Sequence, residues 1–346
     1  MSEEKKKRVT IQDIADRMNI SKALVSFALS NKYGVSDTMR SKIVLMAMEM
    51  GYDFDNIKTA KTHRRTQKNN ILLTINSSHL TEETYWQRII VSIEQYLREQ
   101  DMNFLITTWD YSEDEEALLY RMYQIECQGI LLVGNIYEKV VEAVAKIHRP
   151  TVLIDCNYTG TQFCHVRNNN YGGARDAFEY LYAKGHRHMA YVGSLNHFSY
   201  SERWRGFSDA FNKRDDPQLR CEFLTDEADG SKIYNRPSLE KYLAAGNRPT
   251  AIFTHADQAL PDIFETLRKF ELRIPEDVSV MGFDGIRQVK LLKPRPTTIA
   301  VPMEKIGIMA ARLLLDTIEN GYELNAVLQM NPQIKENESV RSIEPC

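Results

Sequence analysis

Small polar and basic side chains recur near the N-terminus at a spacing that could read duplex DNA. Lys22, Ala23 and Ser26 would face base edges if they lay on an exposed helix that follows a short turn. The side chains that remain available for phosphate contacts are Arg17, Lys32, Arg40 and Lys42. The alternative is a helical hairpin that is used only for packing.

Capping signals predict the helices that would position these side chains. Thr10 suits the N-cap of a helix over residues 11–18, with Asp13 at its third position as an acidic capping box. Ser21 suits the N-cap of a second helix over residues 22–29. A helix, a tight turn and a second helix are typical of the helix-turn-helix motif, whose second helix lies in the major groove.

A third helix is predicted after Ser36, which would cap residues 37 to about 50 before Gly51 stops the helix. Between the first two helices, Asn19 tolerates the left-handed backbone that turns the chain. The apolar residues that would share one small core are Ile14, Met18, Ile20, Val25, Leu29, Ile43 and Ala47.

Charge is divided unevenly along the 346 residues, although the formal net charge is only −3. Residues 1–68 hold fourteen Lys and Arg against eight Asp and Glu, which leaves thirty against thirty-nine for the rest. A basic head on an acidic body predicts that only the head contacts a polyanion. The alternative is a solvated basic tail.

The sequence carries no signature of an enzyme. It lacks a Gly-x-Gly-x-x-Gly run, a phosphate-binding loop, a nucleophile elbow and metal-ligand spacing among its eight His. Its five scattered Cys favour reduced thiols over disulfides or a zinc site. No apolar run approaches the roughly 20 residues of a membrane helix, and the N-terminus does not resemble a signal peptide. We therefore expect a non-catalytic cytoplasmic protein without metal, cofactor or membrane contact.

From residue 70 onward, short apolar runs alternate with amphipathic segments. Residues 71–75, 130–133, 151–154 and 278–282 predict buried strands, and the segments between such runs predict helices. Continuous apolar strands separated by helices are typical of parallel sheets covered on both faces. The predicted fold class is α/β, with ligand-binding loops beyond the carboxyl ends of the strands.

Longer motifs run through both parts of the chain. They are VTIQDIADRMNISKALVSFALSNKYGVSDTMRSKI followed by GY in the head, and VLIDCN, RWRGFSDAF, PTAIFTHAD and RIPEDVSVMGFD in the body. With these motifs the chain resembles the lactose/galactose repressor (LacI/GalR) family of bacterial transcriptional regulators over nearly its whole length. The resemblance implies a three-helix helix-turn-helix head and a periplasmic-binding-protein-like body of two doubly wound parallel-sheet lobes.

This resemblance divides the chain into three parts. They are a DNA-binding domain at residues 1–52, a hinge at 53–69 and a ligand-sensing body at 70–346. Within the body, the N-lobe is expected at about 70–165 and 298–328, and the C-lobe at about 166–297 and 329–346. The ligand is expected between the two lobes.

Two departures from the family pattern concern DNA contact. Phe27 stands where many members carry a base-contacting Arg, so it can offer only apolar contact, for instance to thymine methyls. His63 falls where the family places a Leu that wedges into the minor groove, so either a different bend or a flexible tether is expected. The full set expected at DNA is Thr10, Arg17, Ser21, Lys22, Ala23, Ser26, Phe27, Lys32, Lys61 and His63.

The resemblance also implies which residues contact the small molecule. Arg203 belongs to the R-x-x-G-F run, and its planar guanidinium suits hydroxyls or a carboxylate. Asp284 ends the G-F-D run and could accept two hydroxyl hydrogen bonds, and Trp86 stands where relatives stack an aromatic ring on the ligand. The remaining candidates are Asp155, Asn76, His197, Ser199 and Asp257.

The three leading candidates also have structural alternatives. Arg203 could pair with Glu202 or Asp209, Asp284 could cap a turn, and Trp86 could belong to the core face of its helix. An aromatic ring with an Arg and an Asp suits a sugar, but a nucleobase could use the same groups.

The sequence as a whole predicts a transcriptional repressor whose affinity for double-stranded operator DNA is controlled by a small-molecule effector, with a carbohydrate expected. The alternatives are a nucleoside or purine sensor, and a DNA-binding regulator with a vestigial, ligand-free body. A homodimer is expected because one head reads too few bases, and the protein should be nucleoid-associated when it is bound to its operator. Effector binding should shift the populations of two arrangements of the dimer and so change the spacing of the recognition helices.

Overall fold

Two compact units make up the chain. The computed structural model describes residues 8–30, 32–52, 69–81, 85–110, 112–134, 149–158, 160–225, 236–321 and 326–344, together with Val141 and Val144. The first unit comprises Met1–Glu82, Ile90–Val166 and Gly307–Val327, and the second comprises Glu83–Ile89, Arg167–Ile306 and Leu328–Cys346.

The head contains the predicted helices α1 (Ile11–Met18), α2 (Lys22–Leu29) and α3 (Asp37–Glu49). The Thr10 backbone N–H and hydroxyl donate to the Asp13 carboxylate at 2.7 and 2.6 Å, and the Asp13 N–H donates to the Thr10 hydroxyl at 3.3 Å. Asn19 has a φ of 53°, and the Ser21 hydroxyl accepts from the Leu24 N–H at 3.2 Å. The capping box, the left-handed turn and the second cap therefore form as predicted.

The three helices bury one small apolar core. Alanine takes three of its positions, and these small side chains allow the helices to cross closely. The buried members are Ile14, Ala15, Val25, Ala28, Ile43 and Ala47, with Met18, Ile20 and Leu29 partly buried against them. Burial of this face leaves the opposite face of α2 in solvent.

The first of two six-stranded sheets has the strand order β11-β5-β4-β3-β1-β2. Its strands are β1 (Asn70–Asn76), β2 (Asn103–Trp109), β3 (Gly129–Val133), β4 (Thr151–Ile154), β5 (Cys164–Asn168) and β11 (Val327–Met330). The pairs of β1 with β2 and β3, and of β4 with β3 and β5, are parallel. The helices that accompany these strands are α4 (Ser77–Thr81), α5 (Tyr85–Glu99), α6 (Glu115–Gln124) and α11 (Met303–Asn320).

The second sheet has the strand order β12-β10-β9-β8-β6-β7. Its strands are β6 (His188–Val192), β7 (Arg220–Leu224), β8 (Ala251–Thr254), β9 (Ser279–Asp284), β10 (Thr297–Ala300) and β12 (Gln333–Lys335). Only β12 runs antiparallel to its neighbour among the pairs of this sheet. The helices are α7 (Asn170–Ala183), α8 (Phe198–Asn212), α9 (Arg236–Ala244) and α10 (Leu260–Lys269), with 3₁₀ turns at Asp257–Ala259 and Gln288–Leu291. This is the α/β architecture that the apolar runs predicted.

The boundaries of the two units differ from the predicted lobes at two places. Two divisions fall at residues 166/167 and 327/328, close to the expected crossings, whereas the other falls at 306/307 rather than near 297. Because β10 pairs with β9 in parallel, Thr297–Ala300 lies in the second sheet and not in the first unit. Residues 85–89 also cluster with the second unit, where the Arg88 guanidinium donates to the Glu304 carboxylate at 2.8 Å.

Within the described ranges, every helix is too short or too polar to cross a lipid bilayer.

Candidate functional site

The exposed face of α2 carries the residues predicted to read DNA. Lys22, Ala23 and Phe27 are exposed and Ser26 is half-buried, whereas Val25 and Ala28 anchor the opposite face in the core. The other predicted DNA contacts that the structure describes, all of them exposed, are Thr10, Arg17, Ser21 and Lys32. Lys61 and His63 lie outside the described residues, so their predicted contacts stay predictions.

Phe27 is an apolar side chain presented to solvent on this face. The residue as a whole is 42% exposed, and the Lys32 ammonium lies 5.8 Å from the centroid of the Phe27 ring. An exposed aromatic residue on a surface of this kind costs solubility without adding to the core. It therefore suits contact with an apolar group of a partner, such as a thymine methyl.

Arg40 is buried within the head, and the prediction that it is available for phosphate is wrong. It is only 5% exposed, and its guanidinium donates to the backbone carbonyls of Phe27 and Ala28 at 3.0 Å and of Lys32 at 2.6 Å. These carbonyls lie at and beyond the C-terminal end of α2, where the regular helical hydrogen bonds end, and the Phe27 carbonyl also accepts from the Lys32 N–H at 2.9 Å. Arg40 therefore fixes the end of the recognition helix against α3.

Arg203 lies on α8 and is held by polar groups of several elements of the second unit. It is 3% exposed, its Nε donates to the Asn170 side chain at 2.9 Å, and its Nη1 donates to the His255 carbonyl at 2.5 Å. Its guanidinium also stacks over the Phe283 ring at 3.8 Å. Gly206, one turn further along α8, packs against the Tyr171 backbone of α7, and a Cβ there would collide with it. The close helix crossing therefore positions Arg203.

Asp284 is the ionic partner of Arg203. The Asp284 Oδ1 lies 2.8 Å from the Arg203 Nη2, and both side chains are almost completely buried. Burial is the largest influence and lowers the pKa of Arg203, but the Asp284 carboxylate and the nearby Tyr200, Tyr85 and Tyr191 hydroxyls together raise the pKa of the guanidinium above its usual value. The two leading candidates of the sequence analysis thus contact each other, and neither Glu202 nor Asp209 is the partner: Glu202 accepts from Arg205, and Asp209 accepts from the Tyr171 hydroxyl.

The backbone at Asp284 adopts a conformation that L-residues avoid. Its φ is 112°, and Asp155, which follows β4 in the first unit, has a φ of 45°. Strained conformations of this kind occur mainly where a side chain must be aimed at a functional site. Asp284 is the last residue of β9 and Asp155 directly follows β4, and their contact with a ligand stays a prediction.

Asp257 is fully buried and serves the turn that carries Asp284. Its Oδ2 accepts from the Gly285 and Ile286 N–H groups at 2.7 and 3.1 Å, and its Oδ1 accepts from the Thr298 hydroxyl at 2.8 Å. Burial, together with the nearby Asp284 carboxylate, raises the pKa of Asp257 to about 8. The structure thus places Asp257 as a support for the strand-end turn, with its oxygens already bonded.

The other predicted ligand contacts lie at the start of α8, on α5 and at the end of β1. The His197 ring Nδ1 and the Ser199 hydroxyl are 2.6 Å apart at the start of α8 in the second unit. Trp86 is buried on α5 with the Tyr85 ring edge-on at 5.0 Å between centroids. In the first unit, the Asn76 amide oxygen accepts from the Ser78 N–H and hydroxyl at 3.0 and 2.6 Å.

His255 is a residue of this cluster that the sequence analysis missed. It follows β8, is fully buried, and its Nδ1 lies 3.3 Å from the Val192 carbonyl. Its ring packs edge-on against Tyr200 at 4.4 Å, and burial lowers its pKa to about 3, so the imidazole is neutral. The THAD run at the end of an apolar strand was the signal that could have identified it.

Among the residues that the structure describes, no three His, Cys, Asp or Glu side chains come together in a way that could hold a metal ion. The described cysteines Cys127, Cys156, Cys164 and Cys221 are present as thiols, not as disulfides.

Comparisons with known proteins match both parts of the chain. Residues 10–53 match the model of bacterial regulatory proteins of the lacI family, and residues 178–340 match the model of a periplasmic binding protein-like domain. The HTH-type transcriptional repressor PurR of Klebsiella pneumoniae (strain 342) is 25% identical over 336 residues, which cover 96% of this chain and 96% of the relative.

Solved structures share the fold over the same extent. The lac repressor dimer bound to operator and the anti-inducer ONPF has a TM-score of 0.69 at 19% identity and covers 97% of this chain and 100% of that chain. The complex of the transcriptional regulator CelR with cellobiose has a TM-score of 0.67 at 22% identity and covers 96% of this chain and 100% of that chain.

A helix-turn-helix head followed by a periplasmic-binding-protein-like body of two parallel-sheet units defines a ligand-controlled DNA-binding regulator. The chain combines a LacI-family helix-turn-helix domain with a periplasmic binding protein-like domain. It is a transcriptional repressor with a ligand-binding body, and it is not an enzyme.

Asp257 predicts a pH dependence of the stability of the second unit. Its folded pKa of about 8 lies above the usual value of 3.8, so the folded state binds the proton more tightly than the unfolded state. The stability from this group is fully present below about pH 4 and is lost as the pH rises through about 8, with a slope of at most about 1.4 kcal/mol per pH unit. Asp257→Asn, which keeps an acceptor for the Gly285 and Ile286 N–H groups, should flatten this dependence in urea unfolding.

The matched control is Asp215→Asn, because Asp215 is exposed in the same unit. This variant should keep the pH dependence of the parent protein. An Asp257→Asn protein with an unchanged slope between about pH 5 and 8 would contradict the assignment.

Proposed function

We propose that the chain represses transcription in the cytoplasm by binding two operator half-sites as a homodimer, and that a carbohydrate held by Arg203 and Asp284 controls its affinity for the operator. The observation that carries the DNA-binding part is the exposed face of α2, with Lys22, Ala23 and Phe27 in solvent. The observation that carries the effector part is the buried Arg203–Asp284 pair at the end of β9, where the backbone is strained.

The exposed face of α2 can contact both base edges and phosphate groups. Lys22, at the start of α2, can donate to guanine acceptors or to phosphate, and Ala23 is small enough to allow close approach to the groove. Phe27 lies one turn further along the same exposed face and adds an apolar contact. The operator should therefore contain a thymine at the position that Phe27 meets.

Replacing single thymines of the operator by deoxyuridine should identify this contact. An operator is first selected from random duplexes, and affinity is then measured by fluorescence anisotropy at fixed salt. Loss of one buried methyl should weaken binding of the parent protein about fourfold at one position in each half-site, because a buried methyl group contributes about 0.8 kcal/mol. Phe27→Ala should bind thymine and deoxyuridine operators equally.

Lys22→Ala serves as the matched variant on the same helix. It should weaken binding of both operators and reduce the salt dependence, while the preference for thymine over deoxyuridine and the affinity for effector remain. If no thymine position distinguishes the two bases, Phe27 does not read a methyl group.

The homodimer is proposed because a single short recognition helix reads only a few base pairs. The edge of the first sheet offers a surface for a second copy. Strand β2 is the edge strand there, and it exposes Leu105 and Ile106, while Val91 of α5 is also exposed. Unpaired edge strands with apolar side chains are normally covered in soluble proteins, and a second copy of the chain would cover this one. The lac repressor of the matched structure is a dimer.

Ile106→Glu should convert the dimer to a monomer in sedimentation velocity, because it places a charge among apolar contacts. The matched control is Val327→Glu, on β11 at the opposite edge of the same sheet. Ile106 is 44% and Val327 57% exposed, so neither change disturbs a buried core. A dimer that survives Ile106→Glu, or is lost equally in both variants, would contradict the proposed surface.

The Arg203–Asp284 pair has the chemistry that a sugar requires. A sugar hydroxyl both donates and accepts, so a carboxylate acceptor beside a guanidinium donor can bind two neighbouring hydroxyls. CelR, which shares the fold, holds the disaccharide cellobiose. The nucleoside alternative uses the same groups, and the family relative PurR keeps it open as the second candidate. The expectation that both units enclose the effector stays a prediction.

Calorimetry with cellobiose, D-ribose, adenosine and hypoxanthine distinguishes these candidates. We expect heat with a sugar, and Asp284→Asn should lower that affinity at least about tenfold, because hydrogen bonds to a charged group contribute about 1.5–3 kcal/mol. Operator affinity in the absence of effector should be unchanged.

Glu202→Gln is the matched control, since Glu202 precedes Arg203 but pairs with Arg205. It should leave effector affinity unchanged. Heat with adenosine or hypoxanthine alone would favour the nucleoside sensor, and no heat with any compound would favour a vestigial body. Loss of operator binding in Asp284→Asn without effector would show that the pair is structural.

A further inference from the structure

A shallow basic pocket lies behind the turn that carries Asp284. It is an open depression of about 240 Å³, bulk solvent included, between the 3₁₀ turn Gln288–Leu291 and the β10–β12 edge of the second sheet. Lys290, Arg295 and Lys335 line it together with Thr298 and Asn337. Lys335 reaches the pocket because β12 pairs antiparallel with β10, which places it opposite Thr298.

The three cationic side chains have no acidic partner within the part of the chain that the structure describes. None of their charged groups takes part in a hydrogen bond or ion pair there, and Lys290 and Lys335 are exposed while Arg295 is half-buried. Two nearby carboxylates bind groups other than these three side-chain cations. Glu338 accepts from the Arg295 backbone N–H at 2.8 Å, and Glu304 is bound by Arg88.

Repulsion between these cations is visible in the pKa of Lys290. The pKa of its ammonium is lowered, first by the charge of Lys335, then by burial and by the charge of Arg295. Such a cluster is unusual in a body whose acidic residues outnumber its basic ones, thirty-nine to thirty over residues 69–346. A bound anion would remove the repulsion, which is the situation in which an anion site gains affinity.

We propose that Lys290, Arg295 and Lys335 bind the phosphate group of a small molecule, and that its binding strengthens the hold of Asp284 on the effector. Three convergent cations, one of them the planar fork of Arg295, suit a phosphate with close to two negative charges better than a carboxylate with one. The free phosphate ion and a phosphate monoester share this chemistry, and the experiment separates them.

The pocket is connected to the effector residues through the backbone. Gly285 and Ile286 line the pocket, and their N–H groups bond to Asp257 on the other side of the same turn. A phosphate that orders the segment from Gly285 to Lys290 would also order Asp284, so less ordering would remain to be done when the effector binds. This coupling rests on the proposed effector site, whereas phosphate binding itself does not.

The site is tested by calorimetric titration of the full chain with inorganic phosphate and with methyl phosphate, against chloride at matched ionic strength. Lys335→Gln and Arg295→Gln should each weaken phosphate binding at least about tenfold, because each removes one charge-assisted hydrogen bond. The matched control is Lys293→Gln, since Lys293 is exposed in the same segment but does not line the pocket. It should bind phosphate as the parent protein does. Any phosphate bound by cations of the head is bound equally by this variant and by the parent.

The assignment is overturned if phosphate binds no better than chloride, or if Lys293→Gln loses as much affinity as Lys335→Gln. Methyl phosphate that binds as well as inorganic phosphate assigns the site to a monoester, and its failure beside tight inorganic phosphate assigns it to the free ion. Coupling is tested by titrating the active compound of the sugar and nucleoside panel with and without phosphate, where at least about threefold tighter binding is expected.

The two proposals fail in different ways. Phosphate binding without heat from any compound of the panel leaves the site in place and rejects the effector role of Asp284. Effector binding without phosphate binding rejects the site and leaves the effector role intact. Equal effector affinity with and without bound phosphate rejects the coupling alone.

Discussion

The strand-end turn of the second unit depends on three buried ionisable side chains, two carboxylates and one guanidinium. Asp257 and Asp284 lie near each other at the ends of neighbouring strands, and Arg203 forms an ion pair with Asp284. Burial and the neighbouring Asp284 carboxylate both oppose the charge of Asp257, so Asp257 does not ionise at low cost. The two carboxylates therefore have different roles. Asp284 forms the ion pair with Arg203, whereas Asp257 accepts hydrogen bonds from backbone N–H groups and has a raised pKa.

This division explains how the strand-end turn is built. Gly282 leaves room for the Asp257 carboxylate, because a Cβ there would collide with its Oδ1. With Gly285 and Ile286 tied to Asp257, the backbone of Asp284 is held in the left-handed region, where its side chain meets Arg203. A proposed effector residue is thus oriented by a neighbour that contacts no effector in this scheme.

Local signals in the sequence predicted the parts of the fold that depend on local physics. The caps at Thr10 and Ser21 and the apolar runs of β1, β3 and β4 appear in the structure within a residue of their predicted positions. Strand β7 was missed because it is an edge strand with no fully buried residue, and β10 because its four residues TTIA have a weak apolar signal. The later boundary of the second unit follows from the same missed pairing of β10 with β9.

The candidate site was predictable by residue but not by partner. Arg203 and Asp284 were both identified, yet their pairing depends on helix α8 and strand β9 meeting in space, and sequence neighbours such as Glu202 gave the wrong partners. His255 was missed because its ring lies within the core rather than at an exposed strand end. The burial of Arg40 cannot be seen in the sequence either, so Arg40 was predicted to be a surface cation.

The burial of Arg40 has a consequence for how the protein would respond to ionic strength. Each cation that neutralises a phosphate releases a condensed counterion, and contributes about 0.9 to the slope of log affinity against log salt concentration on B-form DNA. The Arg40 guanidinium donates to the backbone carbonyls at the end of α2. Arg40 therefore stabilises the shape of the head but releases no counterion when the head binds DNA. A count of basic residues in the head would therefore overstate its sensitivity to salt, and the affinity should persist in stronger electrolyte than the composition suggests.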